Sequence, residues 1–341
     1  MRRISLAPAQ KGGLWHASEQ YVSLLCPFGG LEGTMTTSSS PYGGLAAWVL
    51  LALMGLAWGL SFSLARIAAV GGVHPFGISF WESALAGGLL TIVVVGTGMR
   101  YGRSRQTLLL YVATGLVGVI IPSIGFFYAA AHISAGLLSI SSAAVPILTF
   151  LASAVIGIDR FERRRVAGLI LGALSIILLV APTESLPDPA QLPWLLLAFA
   201  SSASYAALSI MLALWKPAGS GTLESTGGMF CAAGLMMAPL AVATNSFGAF
   251  QLPWTAISLS LLGLGAINAF AYAIFFRLVE QAGPVFTSQT GNLVTLFGIG
   301  WGILIFGDSH SIWVWLSFVT MMIALALVRP RQTAQPLVTA S

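Results

Sequence analysis

Between residues 45 and 328 the chain is a succession of apolar stretches of about 20 residues, separated by short polar breaks. A helix rises about 1.5 Å per residue, so each stretch can cross a hydrocarbon core about 30 Å thick. In lipid the backbone polar groups must be satisfied within the protein, which leaves helices or a closed barrel. A barrel needs alternating strands of about ten residues, and the sequence shows no such alternation. The fold class read from the sequence is therefore an all-α integral membrane protein. Composition agrees: 57% of the 341 residues are hydrophobic and 7% charged, against roughly a quarter charged in soluble domains.

Ten spans are expected, at 45–69, 76–97, 107–128, 134–156, 164–181, 193–214, 225–246, 256–279, 284–306 and 311–328. Residues 1–44 read as a polar, disordered tail and make a poor signal peptide, and Met35 is an alternative start. Residues 45–181 and 193–328 form two five-helix halves, joined by an outer linker at 182–192 that carries Glu184 and Asp188 but no Lys or Arg. Residues 329–341 are a second tail. Basic residues gather on the cytoplasmic side of membrane proteins. With the N-terminus inside, 14 of the 15 Lys and Arg residues fall inside, and Arg66 alone is left over. Both termini are then cytoplasmic, in a multi-pass protein of the cell (inner) membrane.

The halves resemble each other. Residues 131–159, AHISAGLLSISSAAVPILTFLASAVIGID, align without gaps on 280–308, EQAGPVFTSQTGNLVTLFGIGWGILIFGD, at an offset of 149. Five spans per half is an odd number, so related halves must be inserted in opposite senses. Inverted repeats of this kind let two bundles rock about a shared midplane site.

Several residues carry a resemblance to a known family: Trp58-Gly59 with Ser61-Phe62 in span 1, Pro146 in span 4, Asp159-Arg160 at its end, and FFRLVEQAGP at 275–284. In these the chain resembles the EamA-type, ten-span members of the drug/metabolite transporter superfamily. The resemblance covers about residues 45–330. It implies a secondary transporter, an exporter of a small polar or amphipathic metabolite, with a cavity between the halves and no bound ATP or other cofactor. Three positions depart from the family pattern: Glu82 stands where an arginine is frequent, Asp159 is shorter than the usual acidic residue, and Thr295 stands in place of a proline.

Arg66 and Glu82 lie at similar depth on adjacent antiparallel spans, on either side of the loop GGVHP. An unpaired ion there costs at least about 2.5–3.5 kcal/mol, so both are expected to face the interior and each other. They serve as a gate or substrate-ion site, or else Arg66 snorkels and Glu82 sits at the rim. Trp58, Ser61, Phe62 and Arg66 share one side of span 1, a stripe that lines a pocket or packs as core. In span 9, Gln289 and Asn292 are too polar for a lipid face, and Asn268 and Tyr272 join them from span 8. Pro146 marks a hinge or a simple kink. Three GxxxG pairs, Gly55/Gly59, Gly168/Gly172 and Gly298/Gly302, read as close-packing sites.

Enzyme chemistry has no support in the sequence. It contains no HExxH, phosphate loop or GxSxG, and His16, His74, His132 and His310 lie in the tail or at span ends. Cys26 and Cys231 make neither a disulfide framework nor a metal site. The scattered basic residues form no nucleic-acid patch. The expected partners are a small-molecule substrate and the lipid bilayer, and a homodimer is compatible with the sequence. A channel and a non-transporting scaffold or receptor remain the alternatives to a carrier.

Overall fold

A computed structural model of the chain describes residues 44–156, 163–180, 189–217, 219–250, 254–307 and 312–327. Within them the chain is helical, with no strand. The helices are α1 (Gly44–Val70), α2 (Pro75–Gly96), α3 (Arg105–Gly115), α4 (Ile121–Ala130), α5 (Ala135–Ile140), α6 (Ala144–Ile156) and α7 (Arg163–Val180). They continue with α8 (Leu192–Trp215), α9 (Thr222–Ala243), α10 (Ala256–Ala282), α11 (Pro284–Ser288), α12 (Thr290–Phe306) and α13 (Ile312–Leu327). A π turn at Leu116–Ile120 joins α3 to α4, a 3₁₀ turn at Ser141–Ala143 joins α5 to α6, and Gln289 joins α11 to α12.

Counting each joined pair as one crossing, eight segments are long and apolar enough to span a membrane. Two further apolar helices, α7 and α13, pack against each other. Leu45, Ile92, Val155, Leu235 and Leu304 are 71–81% exposed, a density of apolar surface that belongs against lipid tails. The chain is a multi-pass membrane protein.

Local sequence sets the helix ends. Ser104, Ser134 and Thr255 accept hydrogen bonds from the backbone N–H groups of Thr107, Leu137 and Ser258, at 3.1, 3.2 and 3.1 Å, and so start α3, α5 and α10. Helix α9 begins three residues before its expected start and ends three before its expected end. It stops because Asn245 adopts a left-handed backbone (φ 51°), which an α-helix cannot continue through.

Consecutive helices are not each other's main partners. Helix α1 packs chiefly on α10 and α12, α2 on α9 and α10, and α4 on α8. Lipid gives no hydrophobic drive between helices, so close backbone approach supplies the attraction. A Cβ at Gly55 would lie 2.5 Å from Leu293 Cβ, and one at Gly59 would lie 2.8 Å from the Gly298 nitrogen. Gly172 behaves otherwise: nothing lies within 4 Å of its Cβ position, so the expected close packing does not occur there.

At one face of the bundle, where α1 begins, Trp48 meets Phe286 edge-on at 5.0 Å, and Lys216 pairs with Glu280, which also accepts from Thr222 Oγ1 at 3.0 Å. At the opposite face, where α1 ends, Trp81 stacks on Phe250 (5.1 Å) and His132 on Trp194 (3.7 Å). Several sequence readings lie outside the described residues: the tail with Cys26 and Met35, Asp159 and Arg160, linker residues 182–188, and tail 329–341.

Candidate functional site

Two prolines lie in the first turns of α4 and α6, each just after a break. Proline has no N–H, so it leaves without its helical donor the carbonyl four residues earlier. For Pro122 that carbonyl belongs to Gly118, inside the π turn, and Tyr272 Oη from α10 donates to it at 2.6 Å. For Pro146 it belongs to Ser142, in the 3₁₀ turn. This second carbonyl faces α12, where a Cβ on Gly291 would come within 2.2 Å of it. Beside this crossing, Thr295 Oγ1 donates to the Ser139 carbonyl (2.9 Å), and Ser202 Oγ of α8 donates to the Ser141 carbonyl (2.8 Å). Side chains from neighbouring helices thus donate to carbonyls in and beside both breaks, which suits a low-dielectric interior.

Between these breaks lies a cavity of about 60 Å³. Serine and threonine hydroxyls from the break regions line one part, including Ser142, Thr287, Ser288 and Thr290, and aromatic rings line another. Phe62 meets Phe126 at 5.2 Å, Phe126 stacks on Tyr205 at 5.8 Å, and Trp58 lies 5.7 Å from Phe275 and 4.9 Å from Tyr272.

Glu82 is the ionisable carboxyl of the cavity, and the residue is only 4% exposed. Its Oε2 accepts from Ser123 Oγ at 3.0 Å and its Oε1 from Asn268 Nδ2 at 2.7 Å. Asn268 is fixed at its other end by Trp58, whose Nε1 donates to Oδ1 at 2.8 Å. An indole N–H can only donate, so the amide oxygen must face Trp58 and the amide nitrogen must face Glu82. The same nitrogen also donates to the Leu264 carbonyl at 3.0 Å, one turn back along α10. Three helices therefore hold one carboxyl group through neutral donors. No Lys, Arg or His among the described residues lines the cavity.

Residues 45–181 match the EamA-like transporter family. In that segment the chain is similar to the family. A 137-residue segment is 25% identical to an uncharacterized transporter of Archaeoglobus fulgidus, covering 40% of this chain and 48% of that protein. The matched segment thus spans about half the length of that relative. In fold, the chain is similar to a crystal structure described only as that of a protein, with a TM-score of 0.60 and 18% identity, covering 81% of this chain and 97% of the other.

Within residues 45–181, Trp58, Ser61, Phe62 and Glu82 line the cavity, and Asn268 of α10 joins them. Tyr272 stands behind Trp58 and secures the π turn. Pro146 lies at the crossing itself, its ring 3.2 Å from the Cβ position of Gly291.

Arg66 does not pair with Glu82. Its Nη1 donates to the Ile133 carbonyl just before α5, and its guanidinium sits 5.8 Å from the centre of the Phe306 ring. Helices α1 and α2 pack chiefly on other helices, so the two charged side chains turn toward different neighbours. Gln289 and Asn292 are also absent from the cavity wall. Both are buried, and Asn292 Nδ2 donates to Gln289 Oε1 at 2.9 Å, while Gln289 Nε2 and Asn292 Oδ1 have no partner.

Sequence reasoning missed Ser123, Phe126, Tyr205 and Phe275 as cavity residues. Two signals could have found some of them. Ser123 is a hydroxyl directly after Pro122, a proline inside an expected span, and Tyr205 interrupts the small-residue run ASSASYAAL.

Proposed function

We propose that the chain is a ten-helix secondary transporter that exports a small polar or amphipathic metabolite by alternating access, its halves 45–181 and 193–328 being inverted repeats. The observation that carries this reading is the meeting of Ser142 with Gly291 beside the cavity. These two positions are counterparts at the offset of 149. A residue touches its own counterpart only near a two-fold axis, so the crossing supports an axis through the site. Counterpart helices also pack together elsewhere, α2 on α9 and α7 on α13. Broken helices at a repeat interface are where carriers place substrate, because freed backbone groups and side chains can serve as ligands there.

The basic residues Arg100, Arg103, Arg105, Arg163, Arg164 and Lys216 support placing the face where α1 begins in the cytoplasm of a cell (inner) membrane. Substrate then enters from that face and leaves by the other. The outward direction and the absence of enzyme chemistry rest on the family resemblance.

Two measurements test this reading. Reporter fusions after residue 188 are expected to report outside, and fusions after 105 or 218 inside; an inside signal at 188 removes the inverted repeat. Metabolite profiling of expressing and non-expressing cells identifies the exported compound, whose flux in proteoliposomes is expected to saturate with concentration. Linear flux would instead assign a channel, and no flux a scaffold or receptor.

A further inference from the structure

The cavity contains an acidic group but, among the described residues, no basic one. We propose that Glu82 is the anchor for a small organic ammonium ion, so that the transported metabolite is cationic at the end that enters the site. This deepens the carrier reading and rests on it, since it names the substrate class of the same cavity.

Four observations support it. First, Glu82 holds only two hydrogen bonds from side chains, one to each oxygen, whereas a carboxylate offers about four acceptor positions. Its remaining capacity suits the several N–H groups of an ammonium. Second, both donors are neutral, and the nearby cation of the sequence, Arg66, is committed to the Ile133 carbonyl and the Phe306 ring. A cationic ligand would therefore meet the carboxyl group without a competing counter-ion from Arg66.

Third, the surrounding wall is aromatic, with Trp58, Phe62, Phe126, Tyr205 and Phe275. Ring faces attract cations and repel anions. A metabolic anion would meet both this wall and the Glu82 carboxylate, while a neutral molecule would leave the carboxylate without a counter-charge. Fourth, size limits the group admitted. The cavity of about 60 Å³ is well below the roughly 150 Å³ that admits a benzene ring, so it takes a head group with a short apolar stem.

The fixed amide of Asn268 gives the anchor its specificity. Trp58 turns the Asn268 nitrogen toward Glu82, which orients the carboxyl group before any ligand arrives. Ser123 does the same from α4. A ligand that binds this preset group avoids part of the ordering that binding otherwise requires.

The test uses the full chain in detergent and three probes of matching shape: n-propylammonium, n-propanol and propionate. Ligand binding to the folded state raises the unfolding midpoint, and the dependence on concentration gives the affinity. We expect propylammonium to raise the midpoint saturably, with an affinity at least tenfold above that for propanol or propionate. Glu82→Gln is expected to lose that tenfold preference, and Glu82→Asp, which keeps the charge, to retain part of it. Equal stabilisation by propanol or propionate, no stabilisation by propylammonium, or full propylammonium affinity in a folded Glu82→Gln protein would each overturn the assignment. If Glu82→Gln fails to fold, the ranking of the three probes on the unsubstituted chain still decides. A protein with saturable metabolite flux but no ammonium preference loses the cation anchor and keeps the carrier reading. Ammonium preference with linear flux does the reverse.

Discussion

Gly291 lies against the main-chain carbonyl of Ser142, so close that a single added methyl would come within 2.2 Å of the oxygen. The contact is between backbones, and neither partner can move aside as a flexible side-chain tip could. Gly291→Ala is therefore expected to destabilise the protein by about 1–3 kcal/mol, the usual range for overpacking. Gly172→Ala, with open space at its Cβ position, should change stability by less than about 0.5 kcal/mol or raise it. Unfolding of both variants in detergent compares them directly, and equal losses would show that the crossing is not tightly packed.

Tyr272 and Pro122 form a linked pair through the Gly118 carbonyl. Tyr272→Phe removes the donor and leaves a buried acceptor unpaired, at a cost of about 1–3 kcal/mol. Adding Pro122→Ala supplies a backbone N–H four residues after Gly118 and is expected to recover part of the loss. The double-mutant cycle measures this coupling; additive losses would mean that the carbonyl finds no second donor.

Arg66 and Glu82 should behave as independent sites. Arg66→Ala removes a tie between the end of α1 and the start of α5, and Glu82→Ala removes the acceptor of Asn268 and Ser123. Their effects on unfolding free energy are expected to add within about 0.5 kcal/mol. The charge swap of Arg66→Glu with Glu82→Arg should restore nothing, because each new charge meets the wrong neighbours. Recovery of flux or stability by the swap would show that the pair forms in another state of the bundle.

Lys216, Glu280 and Thr222 hold together the ends of α8, α9 and α10 at the face where α1 begins. Glu280 is 40% exposed, so the ion pair contributes about 0.2–1 kcal/mol. Glu280→Gln should then speed the reaction of an aqueous maleimide with Thr287→Cys by about 1.4- to 5-fold, in a protein whose Cys26 and Cys231 are serine. An unchanged labelling rate would show that this contact does not restrain access to the cavity.

The legibility of the sequence followed its physics. Apolar length gave the helices, because hydrocarbon thickness fixes the number of residues a crossing needs. Most span ends agree with the structure within a few residues, and the shift of α9 traces to the left-handed Asn245, which composition does not report. Trp58, Ser61, Phe62, Glu82 and Asn268, all named from the sequence, line the cavity, because a carboxylate, an amide and a polar stripe stand out against an apolar background. Which of them meet, and the part of Ser123, were not legible. Helical periodicity ranks residues around one axis, whereas the meeting of Glu82 with Ser123 and Asn268 depends on how three helices rotate against one another. The same ignorance of rotation joined Arg66 to Glu82, and it could not tell that Gln289 and Asn292 are buried away from the cavity lining.

The π turn at Leu116–Ile120 has a consequence for how this sequence can change over time. A π turn holds one residue more than the α turn it replaces, and one residue corresponds to about 100° of helical rotation. It therefore acts as a phase shift within a single crossing: Ser123, Phe126 and Phe127 reach the cavity, while Leu110 and Tyr111 on the earlier side keep their own buried contacts. Loss of one residue between 116 and 120 would leave a smoother helix and swing the first three away together, taking with them one of the two side-chain donors that hold Glu82. Substitutions in this crossing can be tolerated one at a time, but its length cannot drift by a single codon.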